Sequence, residues 1–419
     1  LPTGMRTEPA RCGVLIAAVV ALALPALSLA AIEPFTLGVG QTVSAQTNVY
    51  RVPVNETASR DLISSTALTA GVDQPFGRWR FTGSGALRLN RYKNNHELDN
   101  DGQGLQLRLE GTTVGEIAAS LDYARNVNLV DFGASTDASL RVPARETSQQ
   151  FMATAQLGLV SLLSLDGSAT HRSLGYDNDA YATQENSQDS YSLGLVWRPS
   201  GALSLGAGVR QTNARYPRGV RTGNASYSAD RFDRHDFDLT ATWVATGASS
   251  VQARASVTKQ RHDEATQRDV DGLTGSLVWN WRPTGKLGFN TSAVRETGGE
   301  TSFYRFSGSE TTAVGNDSQL STTLAVDATY DWSAKIRATS NLRLTQRRLT
   351  NSLAIGGGGA QEVGGGDRLY VLGIGLRYQA LRSLGAGCDL RHERRSADTT
   401  LSYAYRATSA SCYLQFSLQ

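Results

Sequence analysis

The chain has 419 residues, 40% of them hydrophobic, a formal net charge of +3 and a mean hydropathy of −0.30. Only four of its basic residues are Lys (Lys93, Lys259, Lys286, Lys335), which leaves 37 Arg, and no basic block stands out. That excludes a nucleic-acid footprint, and no internal stretch approaches the ~18 apolar residues of a spanning helix.

The N-terminal segment predicts export. Arg6 and Arg11 precede an apolar run from Gly13 to Leu29, interrupted by Pro25 and closing on Ser28-Leu29-Ala30. A positive start, an apolar core and small residues at the exit make a secretory signal peptide over 1–30, cut after Ala30. Residues 31–419 are then one exported domain. Pro25 and the small-residue exit argue against a membrane anchor.

From Phe35 onward the chain alternates. Phe35, Leu37 and Val39 begin the first run, and Leu62 to Val72 carry the second into a turn at Asp73 to Gly77. Trp79 to Leu89 and Leu105 to Leu109 follow around a polar tip with Lys93, Asn94 and Asp99. A turn at Thr112-Thr113, a run from Ile117 to Tyr123 and a long tip from Asn126 to Ser148 come next. Phe151 to Leu159 and Leu163 to Ala169 flank a turn near Leu162, and a polar tip runs from Gly175 to Ser187.

The second half repeats one unit: a strand ending in an aromatic residue, a tight turn, a second strand, a long polar tip. The strand-ending aromatics are Trp197, Trp243, Trp281, Trp332 and Tyr378. The last unit has a polar tip from Ser396 to Ala407. A period of two places alternate side chains on opposite faces of a strand.

The predicted fold class is all-β, a transmembrane antiparallel up-and-down β-barrel of about 18 strands. An even strand count leaves both termini on the short-turn side, periplasmic in bacterial outer-membrane barrels, and the aromatic row marks that interface. An extracellular sandwich or β-helix also alternates. Neither requires short and long connections to alternate, nor aromatics on one side only. The expected location is the bacterial outer membrane.

With the apolar face in lipid, a charged face lines the lumen. The candidate lumen-lining residues are Arg80, Arg88, Arg108, Arg210, Arg254, Arg337, Arg343, Arg347, Arg377, Arg391 and Arg395. Facing them are Glu110, Asp122, Asp236, Asp238, Asp327, Asp331, Asp389 and Glu393. Two readings stand side by side. The arginines form a ladder that binds and passes an anionic or hydroxyl-rich solute, or they pair with carboxylates and stiffen the wall. The glycine-rich stretches Gly356 to Gly359 and Gly364 to Gly366 read as tips that either gate the pore or move freely.

Five histidines show no metal-ligand spacing, and His171 near Ser168 is the one pair that suggests hydrolysis. A polar lumen produces such neighbours by chance, so no enzyme, metal or cofactor is expected. Cys388 and Cys412 sit on the lipid-facing parity of consecutive strands, either as a disulfide in the oxidising periplasm or as two adjacent thiols.

The mature chain resembles the outer-membrane barrel family found with exopolysaccharide biosynthesis and exosortase genes, the EpsL type. The matching residues are Glu33-Pro34-Phe35-Thr36-Leu37-Gly38-Val39-Gly40, Thr47-Asn48-Val49-Tyr50-Arg51-Val52-Pro53, Val278-Trp279-Asn280-Trp281-Arg282-Pro283-Thr284-Gly285-Lys286-Leu287 and Tyr330-Asp331-Trp332-Ser333-Ala334-Lys335. The cysteine pair and the residues after Phe416 depart from the expected pattern. The resemblance implies an export channel for an extracellular polysaccharide, with outer-membrane lipid, the polysaccharide, and periplasmic and inner-membrane export components as partners. It transfers no site residues. The alternative is a general or solute-specific porin acting by passive diffusion on another hydrophilic solute.

Overall fold

The structure, a computed structural model, describes residues 34–113, 116–133, 140–158, 161–221, 226–297, 318–353, 361–399 and 401–418. The expected signal peptide and Gly356 to Gly359 lie outside the described residues. The strands are β1 (Phe35–Gln46), β2 (Asp61–Phe76), β3 (Trp79–Tyr92), β4 (Asn100–Thr112), β5 (Ile117–Leu129) and β6 (Arg145–Leu157). Then come β7 (Leu163–Tyr176), β8 (Asn186–Ser200), β9 (Leu203–Arg221), β10 (Tyr227–Thr246), β11 (Ser249–His262) and β12 (Val270–Trp281). The last six are β13 (Leu287–Thr297), β14 (Ser318–Asp331), β15 (Ile336–Leu353), β16 (Gln361–Gln379), β17 (Leu384–Ala397) and β18 (Tyr405–Leu418).

Each strand pairs antiparallel with its chain neighbours, and β1 pairs with β18, so the 18-stranded sheet closes on itself. Closure matters because hydrocarbon offers no water to satisfy an open sheet edge. The outer face is apolar through the middle of the strands, as the exposure of Leu193, Val209, Phe237, Val257 and Leu273 shows. A soluble sheet would bury that belt; here lipid covers it. Trp79, Trp197, Trp243, Trp281, Trp332 and Tyr378 all stand exposed beside the short turns, and Trp279, Trp281 and Phe289 stack along this rim. Amphipathic rings favour the membrane interface. The protein is an outer-membrane β-barrel, with the short turns periplasmic and the tips extracellular.

Several connections are shorter than the polarity of the sequence suggests. The Asp73 to Gly77 turn is only Gly77-Arg78, because β2 runs through Pro75 and Phe76, and Gly77 takes the left-handed φ of 65° that closes it. Gly364 to Gly366 are not part of a tip; they pair with Arg348, Leu349 and Thr350 in the ladder. The Asn126 to Ser148 and Gly175 to Ser187 tips likewise lose residues to flanking strands. β9, β10 and β16 reach 19, 20 and 19 residues, well past the ~9–11 that cross a bilayer. Above the membrane their ladders continue with polar residues on both faces, so periodicity in hydropathy ends before pairing does.

In the closing hairpin, Cys388 faces Cys412 directly across the ladder, with Cα atoms 4.0 Å apart and the sulfurs joined in a disulfide. Both side chains lie on the outer face, with Leu390 and Leu414 exposed on either side. Non-reducing peptide mapping is expected to recover the two cysteines linked. A water-soluble thiol should reduce them only after the barrel is unfolded, because lipid covers them. Exchanging both for Ser is expected to cost up to about 3 kcal/mol by loop-closure entropy, read as earlier heat-induced unfolding on a gel. Rapid reduction in the folded barrel would contradict this placement.

Candidate functional site

The inward parity of each strand brings the predicted arginines to the lumen, but mostly as members of ion pairs. At the periplasmic rim Arg80 bonds Asp73 at 2.7 Å and Arg337 bonds Asp331 at 2.6 Å. Arg108 ties Glu110 at 2.8 Å and Asp122 at 3.1 Å. Along the β9–β11 wall Arg210 meets Asp236 and Asp238, each at 3.3 Å, and Arg254 reaches Asp238 at 3.9 Å. Arg347 is buried against Asp367, with Nε 2.7 Å from the carboxylate, and Ser402 donates to the same carboxylate at 2.6 Å. Arg391 donates to Glu393 at 2.8 Å. Arg343 has Arg391 and Asp327 as electrostatic neighbours. Arg88 and Arg377 have no carboxylate partner among the described residues. A continuous free ladder is therefore not what the strands build; neighbouring strands tie most of these cations into the wall.

The extracellular mouth holds what the sequence reading missed. The β1–β2 connection is pinned by Asn48, whose side chain donates to the Val52 and Arg406 carbonyls at 3.1 and 3.0 Å and accepts from the Val52 N–H at 2.9 Å. This bend puts Arg51 at a φ of 54°, the one non-glycine residue with positive φ among those described. Its guanidinium donates to the Asn48 carbonyl at 2.6 Å and to Glu393 at 3.0 Å. Val49, Leu98, Val130, Phe132, Ala144 and Tyr181, from four separate tips, pack into one buried apolar cluster. Loops on a water-filled pore need no such core unless they fold onto one another.

The β5–β6 connection travels farthest. Arg395, inward on β17, donates to the Gly133 carbonyl at 3.2 Å and to the Tyr403 carbonyl at 2.7 Å. The Tyr403 hydroxyl donates to the Phe132 carbonyl at 3.3 Å. The Arg395 guanidinium also lies 3.9 and 4.7 Å from the Tyr403 and Tyr405 ring centres, a geometry worth about 1–2 kcal/mol per desolvated contact. A Cβ at position 133 would stand 2.8 Å from the Tyr405 hydroxyl and 3.1 Å from an Asp131 oxygen, so a side chain there would push on both. β5 and β17 are six strands apart around the wall, so this segment crosses the lumen side of the mouth. Between its anchors burial pushes the Asp131 carboxyl up, and Arg51 pulls it partly back.

Two carboxylates organise tips by one device. Asp61 accepts from the N–H groups of Leu62, Asn94 and Asn95 at 2.7, 3.0 and 2.9 Å, ahead of a 3-10 turn at His96–Leu98. Asp230 accepts from Glu264 and Ala265 at 3.1 and 3.3 Å and from His262 at 2.7 Å, ahead of a 3-10 turn at Thr266–Arg268. The signal was legible: Arg91, Asp99, Asp101 and Gly102 recur 170 residues later as Arg261, Asp269, Asp271 and Gly272.

The hydrolase-like pair does not assemble. Ser168 points inward and bonds Ser192 at 2.7 Å, while His171 lies on the outer face with Asp189 at 2.7 Å. Odd and even positions of one strand cannot meet. No His, Cys, Asp and Glu cluster able to hold a metal occurs among the described residues. The periplasmic half of the lumen has a cavity of about 760 Å³, lined among others by Arg108, Glu110, Ser120, Thr154, Ser168 and Ser192.

No protein-family model matches the chain, and no curated protein does. Among solved structures, the outer membrane protein OpdK from Pseudomonas aeruginosa is similar, at 14% identity and a TM-score of 0.46, over 93% of this chain and all of that one. OpdK has also been solved with vanillate, at 13% identity with the same coverage and TM-score. OccAB3 from Acinetobacter baumannii matches at 10% identity and a TM-score of 0.45, over 92% of this chain and 98% of that one. The expectation of polysaccharide export is corrected here. None of these matches is named as a polysaccharide exporter. The packed tips across the mouth are likewise a poor passage for a polymer chain.

Arg395→Ala removes two carbonyl bonds and both ring contacts, a local loss of about 3–7 kcal/mol if the contributions add. It should free the β5–β6 segment and raise single-channel conductance; unchanged conductance would show the anchor to be idle. The tips also carry carboxylates with opposed behaviour. The Arg141 hydrogen bond holds Glu56 below its ordinary 4.5, and the Tyr50 hydroxyl does the same for Glu97. Those ties contribute above 4.5 and are lost as pH falls through the lowered values. Asp131 is raised, so its contribution runs the other way and weakens as pH rises. Conductance is expected to be lowest in mild acid and to increase below pH 4.5; a steady fall with acidification would refute the assignment.

Proposed function

We propose that the protein is a passive diffusion channel for small hydrophilic solutes, working without a catalytic step or a cofactor. One observation carries the reading: a closed barrel with a polar, ion-paired lumen is spanned at its extracellular mouth by tips with their own apolar core. Such a mouth admits small solutes and screens out large ones. The paired wall charges keep the lumen wet without fixing a strongly bound counter-ion, so a solute that enters can leave. Arg343 and Arg391 are neighbouring lumen-face cations near mid-height, beside Asp327 and Glu393, and their positive charge would favour anions.

Liposome swelling with a graded series of sugars and amino acids tests the channel. Swelling should be fast for the smallest solutes and fall steeply with size, and liposomes that swell with none would refute it. In planar bilayers, Arg343→Gln with Arg391→Gln should lower the anion-to-cation permeability ratio several-fold. A ratio that does not move would remove the anion preference while leaving the channel.

A further inference from the structure

We infer that the outer surface of β15–β18, just above the apolar belt, is a docking site for the phosphates of outer-leaflet lipid A. Four exposed arginines stand there on four consecutive strands: Arg348 on β15, Arg368 on β16, Arg394 on β17 and Arg406 on β18. They alternate with inward residues, since Arg347, Asp367, Glu393 and Tyr405 beside them are buried. Arg394 and Arg406 are direct partners in the ladder. Arg368 pairs with Ser396, one step along the same face from Arg394, and Arg348 pairs with Gly366, one step from Arg368. The four span three interstrand spacings, roughly 15 Å.

Like charges directly opposite in a ladder are destabilising, and none of the four has a carboxylate partner among the described residues. At several other places on the outer rim the chain supplies its own counter-charge, although Arg215 and Arg231 also stand opposite one another on β9 and β10. Arg91 pairs with Asp101, Arg261 with Asp271 and His171 with Asp189. Among the described side chains of β16 and β17 the acids turn inward instead. Asp367 serves Arg347, and Glu393 serves Arg51 and Arg391. Asp398, at the hairpin tip, is engaged by the Gly366 N–H at 2.9 Å.

The height of the patch identifies what balances it. Directly below Arg394 and Arg406 lie His392 and Thr408, then Leu390 and Ala410, then the disulfide in the belt. Tyr370, exposed and paired with Arg394, marks the upper interface. The tips lie outside the cell, so this is where outer-leaflet glycolipid holds its phosphates. Arg is the side chain whose planar fork binds phosphate bidentately. The acyl chains of the same molecule would lie along Leu372, Ile374 and Leu376, all exposed.

The full-length barrel in detergent would be titrated with bis-phosphorylated lipid A, with its dephosphorylated form, and with inorganic phosphate, following thermal unfolding. Bis-phosphorylated lipid A should raise the unfolding temperature. The R348Q/R368Q/R394Q/R406Q variant should weaken its binding at least tenfold, about 1.4 kcal/mol per tenfold. Arg377→Gln at the periplasmic rim should leave it unchanged. Equal stabilisation by dephosphorylated lipid A, full reproduction by inorganic phosphate, or binding unaltered in the quadruple variant would each overturn the proposal. Should that variant not fold, Arg406→Gln alone decides by its sign. It should stabilise the lipid-free barrel by relieving Arg394 and lose part of the stabilisation that lipid A gives. Destabilisation of the lipid-free barrel would overturn the site.

Discussion

Every feature of this protein depends on the pairing of β1 with β18. A strand in hydrocarbon has no water to satisfy its N–H and C=O groups, so each must find a neighbour, and only a closed ring leaves no edge. Once the ring closes, the period of two does the rest. One parity must face lipid and the other must face the lumen, along the whole circumference. The apolar belt, the tryptophan row and the polar interior are consequences of that single constraint.

The same constraint decides how charge behaves inside. A cation on the lumen face stands about 5 Å from residues on both neighbouring strands, and an acid there is attracted before any solute is. Arg347 with Asp367, Arg210 with Asp236 and Asp238, and Arg108 with Glu110 and Asp122 are the result. Removing one member of a buried pair such as Arg347 with Asp367 leaves the other desolvated, which is far more costly than losing a half-exposed pair such as Arg108 with Glu110. The wall charges thus hold the barrel's shape first and act on solute second. Selectivity is left to the net charge of the lumen face and to the mouth.

The barrel was legible in the sequence because lipid and lumen impose opposite chemistries on alternate residues, from Phe35 to Leu418. The order of short turns and long tips was equally plain. Strand length was not, since above the bilayer both faces meet water and the alternation fades while the ladder continues. This is why Gly364 to Gly366 read as a tip. The fold of the tips was hidden for another reason. Arg51, Phe132, Gly133 and Arg395 are brought together by contacts across hundreds of residues, and no local pattern announces them. The carboxylate device at Asp61 and Asp230 lies between these cases, with its repeated Arg, Asp, Asp and Gly visible to anyone comparing segments 170 residues apart. Ser168 and His171 show the converse error, neighbours in sequence that parity sends to opposite faces.

The closing hairpin joins these threads. β18 must pair on both sides, with β17 and with β1, and a slip of one residue would exchange its faces. Leu414 and Phe416 would enter the lumen, Tyr405 would leave the cluster around Arg395, and Arg406 would turn inward beside Glu393. Each of these costs burial, ring contact or charge balance. Cys412 would also lose its place opposite Cys388, so the covalent link and the side-chain pattern select the same register. The link sits in the belt, beyond the reach of aqueous reductants, on the strand pair that completes the ring. Above it, the acids of this wall turn inward to fasten the mouth, and that choice is what leaves four arginines facing the outer leaflet. The interior fastening and the exterior charge are two sides of one register.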